Sequence, residues 1–99
     1  MDKYYAVTTL NLNEGEHRSR LVGCFPKLEE AQQCCTENWG DIYENGWYPY
    51  VVVEELEWGL YPDSIGKRWF YNWLGTVDEG KFVKCEPPEG DDGICSYYG

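Results

Sequence analysis

Eight residues, YVVVEELE at 50–57, constrain the fold more than any other stretch of the chain. Side chains two apart along a strand share a face. Tyr50, Val52 and Leu56 therefore mark one face, and Val51, Val53, Glu55 and Glu57 the other. Glu54 falls on the apolar side. A buried carboxylate without a partner is expensive. Glu54 must therefore lie near the sheet edge or pair with Arg18, Arg20 or Arg68.

The same period of two recurs along the chain. Residues 4–10, YYAVTTL, set Tyr4, Ala6, Thr8 and Leu10 against Tyr5, Val7 and Thr9. Residues 18–25, RSRLVGCF, set Leu21, Gly23 and Phe25 against Arg20, Val22 and Cys24. A polar connection over 11–16, with Gly15 as its turn residue, makes these two a hairpin. Residues 67–74, KRWFYNWL, alternate Trp69, Tyr71 and Trp73 with Phe70 and Leu74. A turn at Asp78, Glu79 and Gly80 then leads into a short fifth strand, KFVKC at 81–85, which Pro87 and Pro88 end.

The period changes once. Residues 27–38 read as a helix, with Pro26 suited to a first helical position. Leu28, Ala31, Cys35 and either Asn38 or Trp39 fall on one stripe. Glu29 and Glu30 stand in the first turn, where the helix dipole favours them. Gly40 is the expected stop. Residues 41–49, DIYENGWYP, form an irregular connection with a turn at Asn45 and Gly46. Tyr43, Trp47 and Tyr48 in it either cap the core edge or form a contact surface.

The element order β-β-α-β-β-β implies an α+β domain: an antiparallel sheet of about five strands with one helix packed on one face. Residues 1–86 form this single domain, and 87–99 an acidic tail expected to be flexible until Ile94, Tyr97 and Tyr98 dock. One helix cannot cover five strands. The second face is left exposed, or covered by loops, the tail or a second subunit in a homodimer.

Charge narrows the function. Eighteen acidic residues against eight basic ones give a net charge of -10. Phosphate contacts need a basic patch, so direct binding to nucleic acid or an anionic membrane is not expected. No stretch reaches transmembrane length, and the opening MDKYYAVTTL has no apolar core or cleavage site of a signal peptide. Five cysteines cannot all pair within the chain. Reduced thiols and a cytoplasmic location are expected.

Catalytic signals are weak. The one histidine, His17, lies in or beside a hairpin turn, and no cysteine spacing is C-x₂-C. Cys34 and Cys35 would point about 100° apart on a helix, which suits one packed thiol and one nearer the surface better than a metal. No metal or cofactor is expected. Glu54, Glu55, Glu57 and Asp63 keep a small metal-assisted hydrolase open as an alternative. A solvated acidic face is the simpler reading.

Between Lys27 and Lys67 the chain carries nine carboxylates and no basic residue, interleaved with aromatics. A row of carboxylates can imitate DNA phosphates in a basic groove, and Trp and Tyr supply anchors. The candidate protein-binding residues are Glu29, Glu30, Glu37, Trp39, Asp41, Glu44, Trp47, Tyr48, Glu55, Glu57, Trp58 and Asp63.

The segments YYAVTTL, RLVGCFPKLEEAQQCC, NWGDIYENGWYPYVVVEELEWGLY and KRWFYNW, within residues 4–85, resemble small proteins of gut Firmicutes and their phages or mobile elements. The resemblance brings no catalytic residues. It implies a phage accessory product of the anti-CRISPR-like kind, a class of unrelated folds. The expected partner is then a basic bacterial protein such as a nuclease or CRISPR effector.

Overall fold

The computed structural model describes residues 3–13, 16–57 and 63–88. Five strands, β1 (Lys3–Asn13), β2 (Glu16–Phe25), β3 (Tyr50–Glu57), β4 (Asp63–Gly75) and β5 (Gly80–Cys85), form one sheet. One helix, α1 (Leu28–Thr36), lies between β2 and β3 in the chain. The strand order is β2-β1-β3-β4-β5, antiparallel throughout. The fold is thus the α+β class that the sequence implies.

The run at 50–57 becomes β3, with the expected bounds, at the centre of the sheet. The first hairpin is longer than its apolar alternation. Asn11, Leu12 and Asn13 pair with Arg18, His17 and Glu16, so most of the expected polar connection is ladder. Backbone groups gain from pairing whatever their side chains are. Likewise β4 begins at Asp63, four residues before the expected start of this strand at Lys67.

β2 carries a bulge that the alternation does not reveal. Val7 opposes Gly23 but Thr8 opposes Leu21, which leaves Val22 as an extra residue. A bulge of this kind reverses the faces beyond it. Gly23 and Phe25 share a face with Val7, but so does Arg20, the partner of Thr9. Leu21 therefore leaves the face of Gly23 and Phe25, correcting the simple alternation. Arg20 and Arg18 turn toward the side that carries α1.

At nine residues, α1 is too short to stand alone. Ala31, Cys34 and Cys35 are buried against Val7, Val51, Val53, Tyr71 and Phe82. These small side chains let the helix lie close on the sheet. Both adjacent thiols are thus buried, whereas the sequence suggested that one would lie nearer the surface. Pro26 stands outside the helix, whose N-cap is the extended Lys27 (φ -125°, ψ 140°).

The stop is Asn38 rather than Gly40. Asn38 adopts a left-handed conformation (φ 49°). Its N–H donates to the Cys35 carbonyl (3.1 Å), and the Trp39 N–H donates to that of Cys34 (3.1 Å). This is the paired Schellman bonding of a helix C-terminus, with asparagine in the place glycine usually takes.

Thiol chemistry should follow burial. Burial pushes the Cys35 thiol far up from its ordinary range, with Cys34 adding to the effect, and burial raises Cys34 as well. The thiolate is the reactive species. Iodoacetamide at mildly alkaline pH should label the exposed Cys24 before Cys34 and Cys35 in the native protein. Cys34 and Cys35 should be protected until urea unfolds the chain, as peptide mass mapping would show.

On the helix-free face, Tyr4, Ala6 and Leu56 form one cluster, and Leu10, Val52 and Phe70 another. All six are buried, although among the described residues no helix lies over this face. This burial is reached within the single chain. Glu54 lies on this face and is completely buried. Its cross-strand partner Arg68 donates from Nε to Glu54 Oε2 at 2.9 Å. Of the placements open to Glu54, the structure selects Arg68, at the sheet centre rather than its edge. Among the described residues no helix is long and apolar enough to cross a membrane. The acidic tail from residue 89 lies outside the described residues.

Candidate functional site: an acidic and aromatic connection

The 37–49 connection leads from the C-terminus of α1 back to the start of β3. Its backbone visits the left-handed region repeatedly, at Asn38, Gly40, Asp41, Glu44, Asn45 and Gly46. Asparagine, aspartate and glycine tolerate that region, but Glu44 (φ 50°) has no such excuse. Each strained residue of this kind costs about 1–3 kcal/mol and needs support from its surroundings.

The support is visible. The Asn38 side-chain oxygen accepts from the Tyr43 N–H (3.0 Å), while its amide nitrogen donates to Asp41 Oδ1 (3.2 Å). The Glu44 N–H donates to the Asp41 carbonyl (3.0 Å). Asn45 and Gly46 form the expected turn, closed by the Trp47 N–H on the Glu44 carbonyl (3.1 Å). The sheet anchors the far side: the Asn11 side chain donates to the Trp47 carbonyl (2.9 Å), and the Trp73 N–H to that of Pro49 (2.9 Å).

Side chains sort to two sides of this frame. Ile42, Tyr43 and Tyr48 are buried. The Tyr43 ring stacks on Trp73 (3.8 Å between centroids, 7° between planes) and meets Phe82 edge-on. Outward stand Glu37, Trp39, Asp41 and Trp47, with Glu44 half-buried. Trp39 is 39% and Trp47 47% exposed, which is high for residues of this size. The Trp39 indole N–H donates to Glu37 (3.1 Å), and its ring meets Phe25 at 6.0 Å and 66°. That donation, with one from Gln33, holds the Glu37 carboxyl below the usual carboxylate range.

Strand β2 supplies two guanidiniums to this surface. Arg18 lies 5.4 Å from the Trp47 ring centroid, a cation–π distance. Arg20 pairs with Glu44. Both contacts span distant parts of the chain. Their only sequence signal is the spacing of two that puts Arg18 and Arg20 on one side of β2.

The structure thus sets Trp39, Asp41 and Glu44 around one cleft, bonds Glu37 to Trp39, and places Trp47 by Arg18. Other candidates lie elsewhere. Glu29 and Glu30 are on the first turn of α1, at the end away from the connection. Tyr48 belongs to the buried side and offers no contact surface. Glu55 is only 3% exposed and lies 3.0 Å from Lys3 Nζ through Oε1, so it too is removed from any open surface. Its carboxylate raises the Lys3 amine above the usual range. Glu57 ends β3, at the opposite end from the connection, with the Asp63 backbone paired to it in β4. Trp58 lies outside the described residues.

Two of the carboxylates suggested for a hydrolase, Glu54 and Glu55, stand apart. Glu54 and Glu55 point to opposite faces of β3, one engaged by Arg68 and the other by Lys3. Among the described residues no three histidine, cysteine or acidic side chains are grouped to hold a metal ion. In comparisons with known proteins, the chain matches no family model, no curated sequence and no solved structure.

Proposed function

We propose that this protein is a non-enzymatic binding module that acts in the bacterial cytoplasm. Its acidic, aromatic connection occludes a basic nucleic-acid-binding groove on another protein, such as a nuclease of bacterial defence. The observation that carries the reading is the display of Trp39 and Trp47 on a hydrogen-bonded frame beside Glu37, Asp41 and Glu44. Large aromatics held rigidly lose little freedom on docking, and such residues dominate binding energy at interfaces. The net charge of -10 favours a basic partner and speeds encounter with it. The resemblance to small phage-associated proteins of Firmicutes is the reason to look among bacterial defence proteins.

The test is affinity capture from bacterial lysate with the tagged protein and a Glu37→Lys/Asp41→Lys variant. The wild type should retain a nucleic-acid-binding protein at moderate salt, release it at high salt, and release it to added nucleic acid. The double variant should retain about tenfold less or lower, since each exchange turns an attraction into a repulsion. Equal capture by both proteins would defeat the electrostatic reading.

A further inference from the structure

Beside the connection lies an open cleft of about 530 Å³, between β2 and residues 39–44. Val22 and Ile42 give it apolar lining, Trp39 an indole, Asp41 and Glu44 two carboxylates, and Arg20 a guanidinium. Gly40 adds room: nothing lies within 4 Å of the place where a side chain would begin. We propose that this cleft receives one arginine side chain of the partner, its guanidinium against the Trp39 indole and the Asp41 carboxylate. The proposal rests on the protein-binding reading above and names the group recognised at that surface.

Two neighbouring contacts show the chemistry in use. Arg18 lies over the Trp47 indole, and Arg20 pairs with Glu44. The chain itself thus fills one indole and one carboxylate of this surface with guanidinium groups. Trp39 and Asp41 offer the same two groups to the same cleft. Asp41 is bonded to the Asn38 amide, and among the described residues it makes no ion pair. A carboxylate has about four acceptor sites, so most of its capacity is open. Trp39 is fixed by Glu37 and Phe25 and still 39% exposed.

Arginine suits the site better than lysine. Its flat guanidinium stacks on an aromatic face while its N–H fork meets a carboxylate, and it gives up hydration more readily. The aliphatic stem can lie along Val22 and Ile42. With one resident guanidinium against two carboxylates, the cleft keeps a formal negative charge and disfavours an anion.

The probe is N-acetyl-arginine amide, titrated into isotope-labelled protein and followed by two-dimensional NMR. The controls are the lysine analogue and citrulline, which has nearly the shape of arginine without its charge. Expected are saturable shifts of the Trp39 indole N–H, assigned with Trp39→Phe, and of the amides of residues 40–44. Arginine should bind more tightly than lysine, and citrulline should give no saturable shift. Asp41→Asn should weaken arginine binding about tenfold, the loss of one charge-assisted contact. Asparagine tolerates the left-handed conformation at this position (φ 55°), so the fold should persist.

No shift at Trp39, equal shifts with citrulline, or an unweakened Asp41→Asn would overturn the proposal. The larger reading fails separately. Capture of a partner unaffected by Asp41→Asn would retain groove occlusion and remove the arginine cleft. A titration as expected, with no salt-sensitive partner in lysate, would keep the cleft's preference and remove occlusion.

Discussion

Replacing Arg68 by methionine should cost the fold about 3–5 kcal/mol, and adding Glu54→Leu in the same chain should return most of that loss. Glu54 is 0% exposed on the central strand, between the cluster of Tyr4, Ala6 and Leu56 and that of Leu10, Val52 and Phe70. Arg68 is its cross-strand neighbour, with Nε 2.9 Å from Oε2. Removing the guanidinium leaves a carboxylate in a place with little access to water. Removing both charges leaves two apolar side chains between two apolar clusters. A domain of this size holds only about 5–15 kcal/mol in all, so the single variant should unfold at far lower urea. Urea titrations of the two variants and the parent give the answer. A single variant within about 1 kcal/mol of the parent would mean that the pair matters no more than a surface ion pair.

Phe82→Ala should be comparably costly, about 3–5 kcal/mol. Phe82 is 1% exposed and lies edge-on to Trp73 at 5.2 Å and to Tyr43 at 5.8 Å. Those two rings stack on each other, and Tyr43 belongs to the 37–49 connection. Truncation opens a cavity where β5, β4 and the connection meet. Near-ultraviolet circular dichroism should fall with stability as the stacked rings loosen. Phe82→Leu keeps most of the volume and should cost about 1 kcal/mol. Loss of stability with an unchanged aromatic signal would show that the connection does not depend on this contact.

Elements were legible where period and local chemistry agree. β3 has both of its expected ends, and the pair Asn45 and Gly46 gives the expected turn. The face assignments of β1, β3 and β4 follow from alternation, and the helix and the element order from the one change of period. What failed depends on pairing. Asn11 and Asn13 are poor strand residues, yet the opposite strand carries them into the ladder. The extra residue Val22 turns Arg20 to the helix side, and no local pattern announces a bulge. Asn38 ends the helix before Gly40 because an asparagine can take the left-handed turn and its amide can bond residues 41 and 43.

The candidate site was legible in composition and not in arrangement. Trp39, Asp41 and Glu44 do line one cleft, but a list by residue type could not separate Tyr43, Tyr48 and Glu55, which are buried, from Trp47 and Asp41, which are not. Alternation on β3 puts Glu55 under the helix side, where Lys3 meets it. In an irregular connection there is no period to read. Which aromatic turns inward is settled by contacts with Trp73 and Phe82, far along the chain.

The most direct measurement is the capture experiment, carried through to displacement. Tagged protein and its Glu37→Lys/Asp41→Lys variant are incubated with bacterial lysate at moderate salt, and the retained proteins are challenged with nucleic acid. Retention by the parent of a nucleic-acid-binding protein that nucleic acid and high salt both displace, with little retained by the variant, is the expected result. A partner held equally by both proteins, or one that nucleic acid cannot displace, would contradict occlusion of a basic groove by this surface.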